Sequence, residues 1–133
     1  MSDRLEEFKR LCAKEDALGA KYPEILQYEK ADGTKYTIGM GLAEGWYPLI
    51  DKLCAGIMAL SKEQGFPPPQ ALQIKEKFGT LRFYIGPATQ EVHDLVNKIC
   101  AESATTCERC GAPGELRGEG WAKTLCDKCD KGE

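Results

Sequence analysis

Two Cys-x-x-Cys pairs, Cys107–Cys110 and Cys126–Cys129, stand fifteen residues apart near the C-terminal end of this 133-residue chain. That is metal-ligand spacing. Each Cys-x-x-Cys turn aims two sulfurs at one point, and two such turns supply the four thiolates of a tetrahedral Zn²⁺ site. Gly111 follows Cys110, where the chain leaving the turn needs a positive φ. Pro113, Gly114, Gly118 and Gly120 shape an out-and-back loop between the pairs. The stretch reads as a zinc ribbon, against a competing reading as two local redox dithiols. Four sulfurs fill zinc's four positions, so the expected cofactor is a structural Zn²⁺ with no place for water or substrate. Its net negative charge is offset by Arg109, Arg117, Lys123 and Lys128, although the same residues admit a nucleic-acid reading.

Seven cysteines, an odd number with four in metal spacing, fit a reducing cytoplasm better than a disulfide scaffold. The formal net charge of −3 counts against general nucleic-acid or membrane-surface binding. No apolar run approaches the roughly 20 residues that span a bilayer, and the N-terminus lacks the basic and apolar regions of a signal peptide. The length fits one α+β core domain over residues 1–106 with the ribbon, 107–133, fused to its last helix.

Residues 3–18 carry Leu5, Phe8, Leu11, Cys12 and Leu18 near helical spacing, with Asp3 as a cap and Gly19 as a stop. Asp32-Gly33 marks a turn and 34–38 a strand, while 22–30 fits either helix or strand. A two-residue hairpin at Asp32-Gly33 would oppose Lys30 with Lys35, a poor pair. Next, Gly39-Met-Gly41-Leu-Ala-Glu44-Gly45-Trp46-Tyr47-Pro48 runs into a helix whose stripe is Trp46, Leu49, Ile50, Leu53, Cys54 and Ile57. Glycines before a helix N-terminus can turn backbone N–H groups toward an anion, which makes Gly39, Gly41, Glu44 and Trp46 candidate ligand residues. A plain glycine-rich loop is the competing reading. After a Pro67-Pro68-Pro69 connector, Val92, Leu95, Val96, Ile99 and Cys100 define the final helix, with Thr89 as its cap.

Residues 72–85, LQIKEKFGTLRFYI, form the clearest hairpin signal. A two-residue Gly79-Thr80 turn of type II′ opposes Lys77 with Arg82 and Lys75 with Tyr84. Ile74, Phe78, Leu81, Phe83 and Ile85 then face the helices, with Glu76 among them. Lys75, Lys77, Arg82 and Tyr84 face outward. Directly opposed Lys77 and Arg82 repel unless an anion or carboxylate sits on them. Glu76 on an apolar face requires a buried donor.

The ordered set GWYPLIDKL, KEKFGTLRFY, CERCGAPG and GWAKTLCDKC resembles a family of small bacterial and phage proteins of no settled activity. The resemblance spans roughly 39–129 and implies a bacterial or phage cytoplasmic setting. No nucleophile–base pair, open metal site, Walker loop or carboxylate dyad is present, so an enzymatic reading rests on Glu76 alone. The sequence therefore favours a zinc-stabilised binding protein for a small anionic molecule such as a nucleotide, held by Lys75, Lys77, Arg82 and Tyr84; for a phage protein, sequestering a host signal is a natural use. The alternative is a ribbon-based interaction module for a protein or nucleic acid.

Overall fold

A computed structural model describes residues 2–118 and 120–132. The expected domain bounds 1–106 and 107–133 also take in Met1, Glu119 and Glu133, which lie outside the described residues. The fold is α+β, with three separate two-stranded antiparallel sheets and three long helices among the described residues. No helix there is long and apolar enough to cross a membrane.

Helix α1 (Ser2–Lys21) passes through Gly19 instead of stopping at it. A Cβ at Gly19 would overlap the Thr37 hydroxyl, so the glycine serves a close approach of helix to strand. Leu11 and Leu18 pack against the core, whereas Phe8 and Leu5, one and two turns before Leu11 on the stripe, are exposed. The undecided stretch after α1 is both helix and strand: α2 (Pro23–Leu26) runs directly into β1 (Gln27–Glu29), which pairs with β2 (Lys35–Thr37). The connection is wider than a two-residue turn. Gly33 N–H donates to the Lys30 carbonyl and Gly33 adopts a φ of 88°, giving the three-residue loop that ends in a left-handed residue. This one-residue shift sets Glu29 opposite Lys35 and removes the Lys–Lys clash.

Helix α3 (Tyr47–Gln64) follows a 3₁₀ turn over Glu44–Trp46, with Pro48 in its first turn, where a missing N–H costs nothing. Gly65 ends it at a φ of 75°. Strands β3 (Ala71–Lys77) and β4 (Thr80–Ile85) then form the main hairpin, and α4 (Gln90–Ser103) lies along β4. Thr89 caps α4 by accepting from Val92 N–H. Trp46, Ile50, Leu53 and Ile57 of the α3 region meet Leu81 and Ile99 in one buried cluster. Truncating a side chain as large as Trp46 there would cost about 3–5 kcal/mol. The last sheet, β5 (Glu115–Arg117) with β6 (Lys123–Leu125), and the short α5 (Asp127–Asp130) carry the cysteines.

Candidate metal centre and hairpin face

The four cysteines converge. Their sulfurs all lie within 4.8 Å of one another, and Cys110 Sγ is 3.6 Å from Cys126 Sγ. Four thiolates about 2.3 Å from one ion sit roughly 3.8 Å apart, so the cluster is of a size to hold a metal ion with little adjustment. Both knuckles have turn chemistry built for the purpose. Gly111, at a φ of 83°, donates to the Cys107 carbonyl. Cys129 N–H points at Cys126 Sγ from 3.4 Å. Burial opposes a thiolate at Cys107, yet the backbone N–H groups of Cys126, Cys110 and Arg109 outweigh it and bring the thiol down to about 6. Cys129 is pushed up to about 12, by burial first and then by the neighbouring sulfurs. One thiolate forms readily here. All four together require a cation between them, and with four sulfur ligands that cation has no open position.

The ribbon is built into the core. Trp46, fully buried, donates its indole N–H to the Thr106 carbonyl at 2.8 Å. Gly45 N–H donates to the Glu108 carbonyl, and a Cβ at Gly45 would overlap the backbone of Cys107 and Glu108. On the other side, Thr124 Oγ1 donates to the Gly79 carbonyl at the tip of the β3–β4 hairpin. Arg117, within the ribbon, is fully engaged: it donates to the Leu125 carbonyl and pairs with Asp127 and Asp130. That leaves it no part in a nucleic-acid surface. Cys12, Cys54 and Cys100 lie outside the cluster. Burial pushes Cys54 up to about 12 and raises Cys100, against which the Phe83 N–H works.

The main hairpin differs from the expected register by one residue. Lys77 opposes Thr80, Lys75 opposes Arg82 and Gln73 opposes Tyr84, so the turn is Phe78-Gly79 and not Gly79-Thr80. Both turn residues have positive φ, 54° and 80°, which is a type I′ turn and matches strand twist better than the alternatives. Two interactions hold this register. Glu76 places its carboxylate on Gly79 N–H at 2.7 Å, capping the turn. Leu81 N–H donates to the buried Ser103 Oγ at 2.8 Å, fixing β4 to α4. Glu76 is thus exposed and satisfied by backbone, not set on the apolar face with a buried donor. Phe78 leaves the apolar face for the tip and is 64% exposed.

The opposed like charges survive the shift, as Lys75 and Arg82. Lys77 lies on the same face, and Lys75 Nζ sits 5.8 Å from the centroid of the Tyr84 ring. Among the described residues, none of Lys75, Lys77 and Arg82 has an ion-pair partner. Arg82 and Tyr84 also border a cleft of ≈ 440 Å³ between β4 and α4, whose far wall carries His93, Asn97 and Cys100. No sequence pattern marks this cleft, because it depends on how far α4 stands from the edge of β4.

The glycine-rich loop has a different outcome. Met40 N–H donates to Glu15 at 3.0 Å, and Gly41 N–H is turned to the same carboxylate. Burial raises the Glu15 carboxyl, and these two N–H groups pull it back. Glu44 pairs with Arg10 and Lys14. No hydrogen bond or ion pair among the described residues joins Gly39, Gly41, Glu44 or Trp46 to the hairpin face. The Met40 and Gly41 donors are met by the protein's own acid, a partner twenty-five residues back from Met40 that the sequence pattern did not reveal because α1 showed Glu15 only as one of many surface charges.

No protein-family model, curated protein or solved structure matches the chain.

Proposed function

We propose that this is a zinc-stabilised binding protein for a small anionic ligand of nucleotide type, held where the outer face of β3–β4 meets the β4–α4 cleft. The observation that carries it is the set of three cations on one face, two of them directly opposed, none of which forms an ion pair among the described residues. An arginine fork and a lysine point charge suit a phosphate. Tyr84, 44% exposed, offers a ring for a base, and His93 and Asn97 across the cleft offer polar groups for its edge. Glu15, seated on the glycine loop, removes that loop from the site. Zinc is the metal proposed for the ribbon, because a closed tetrahedral set of four thiolates is its commonest structural site. A mass spectrum of compounds released on heating freshly purified protein tests the ligand class. Release of a nucleotide or another phosphorylated small molecule from wild type, and its loss from Lys75→Glu/Arg82→Glu, supports the proposal. Empty protein that also fails to take up any nucleotide on addition would overturn it.

A further inference from the structure

We infer that the anionic face extends over the hairpin tip to Trp121 and takes a short single strand of nucleic acid. This rests on the proposed anion site and lengthens it. Phe78 is, among the described residues, the one non-glycine in the left-handed region, with a φ of 54°. Its position in a type I′ turn favours asparagine, aspartate or glycine. Burial does not offset the strain, because the ring stands out into solvent. An aromatic kept in a conformation that disfavours it, without packing in return, points to a use for its exposed face. Trp121, on the ribbon loop, is 90% exposed and shares with Phe78 a cleft of ≈ 210 Å³ that Lys77 and Lys123 flank. Lys77 Nζ lies 5.5 Å from the Phe78 ring centroid, repeating the Lys75–Tyr84 pair further down the hairpin.

The result is a strip of alternating rings and cations: Tyr84, Lys75 with Arg82, Lys77, Phe78, then Trp121 with Lys123. Such an arrangement stacks unpaired bases and tracks their phosphates. A duplex hides its base faces from it, and an acidic peptide would leave the rings unused. Among the described residues, Glu76, exposed and itself lining the Phe78–Trp121 cleft, is held on Gly79 N–H, and Glu108 is held on Thr124 N–H; neither forms an ion pair with Lys77 or Lys123.

Fluorescence anisotropy of the zinc-loaded protein with labelled oligothymidylates at low salt tests this, alongside the thermal response to single nucleotides. Affinity should rise about tenfold between a dinucleotide and a strand of about six, within the range of single-stranded sites, and should fall as salt is raised. Trp121→Ala should weaken the six-mer about tenfold while leaving the mononucleotide response intact. Phe78→Asn should also weaken the six-mer yet raise the melting temperature, since Asn-Gly suits the turn. A six-mer bound no more tightly than a mononucleotide overturns the extension, as does wild-type behaviour of Trp121→Ala. Equal competition by oligoglutamate or by duplex also overturns it. Failure of the mononucleotide response as well would remove the anion site itself and the extension with it.

Discussion

The ribbon and the outer face of the main hairpin are both two-stranded and both rich in cations, yet Arg117 of the ribbon and the opposed Lys75 and Arg82 of the hairpin are treated in opposite ways. In the ribbon, Arg117 meets Asp127, Asp130 and a backbone carbonyl, Thr124 reaches Gly79, and Glu108 reaches Thr124 N–H. On the hairpin, Lys75 and Arg82 are cross-strand partners, and neither has an ion-pair partner among the described residues. The glycine loop falls on the ribbon's side of this divide, because Glu15 occupies its N–H groups. Composition does not separate a binding surface from a structural one here. What separates them is whether the protein has already satisfied the groups it displays.

The comparison breaks first, and most strongly, at the cysteines. Cys110→Ser or Cys126→Ser should lose the metal, read by elemental analysis against one equivalent in wild type. A four-thiolate zinc site contributes on the order of 10 kcal/mol to its module. Because Trp46, Gly45 and Gly79 tie the ribbon to the core, the melting temperature of the whole chain should fall with it. A variant that loses metal but melts like wild type would show that the ribbon is an appendage. Gly45→Ala strikes the same junction without touching a ligand. Its Cβ would meet backbone at Cys107 and Glu108, so a loss of about 1–3 kcal/mol in denaturant unfolding is expected, with tightly bound metal retained.

A smaller effect marks another satisfied acid. Asp51 lies below its ordinary carboxylate value of 3.8, held there first by the Tyr22 hydroxyl and then by Lys21. A depressed carboxyl stabilises the fold above its unfolded pKa, and that contribution is lost as pH falls through the lower folded value. Asp51→Asn should therefore cost no more than about 1 kcal/mol at neutral pH, and the difference from wild type should shrink below about pH 4. Urea melts at pH 7 and pH 3 would show it; a difference that grew on acidification would contradict the sign.

The smallest effect has the opposite direction. Lys75→Glu places a carboxylate across from Arg82, turning a repulsive cross-strand pair into an attractive one worth about 0.5 kcal/mol. The variant should melt slightly higher than wild type and bind the anionic ligand poorly. A lower melting temperature would mean that Lys75 has a structural task.

The metal cluster was the most legible part of the chain, since two fixed spacings determine which four sulfurs meet. The long helices were equally plain in their apolar stripes. The hairpin was legible as a hairpin but not in register: Gly79 marks a turn in either reading, and only the Glu76 cap and the Ser103 hydroxyl decide between them. Gly19 read as a stop because its reason is a strand that approaches from elsewhere in the fold. Trp46 read as a candidate ligand residue for a related reason. It follows the glycine-rich run that ends at Gly45, while its partner is the Thr106 carbonyl, sixty residues on. Contacts of that kind leave no local trace.

The most direct measurement is the melting temperature of zinc-loaded protein against a panel of nucleotides at low salt, for wild type and for Lys75→Glu/Arg82→Glu in parallel. At least one nucleotide should raise the wild-type value, none should move the double variant, and the two unliganded proteins should melt within a few degrees of each other. A flat panel for wild type, or an equal rise in the double variant, would contradict a binding role for the hairpin face and leave the chain a metal-held scaffold whose cations are only solvated.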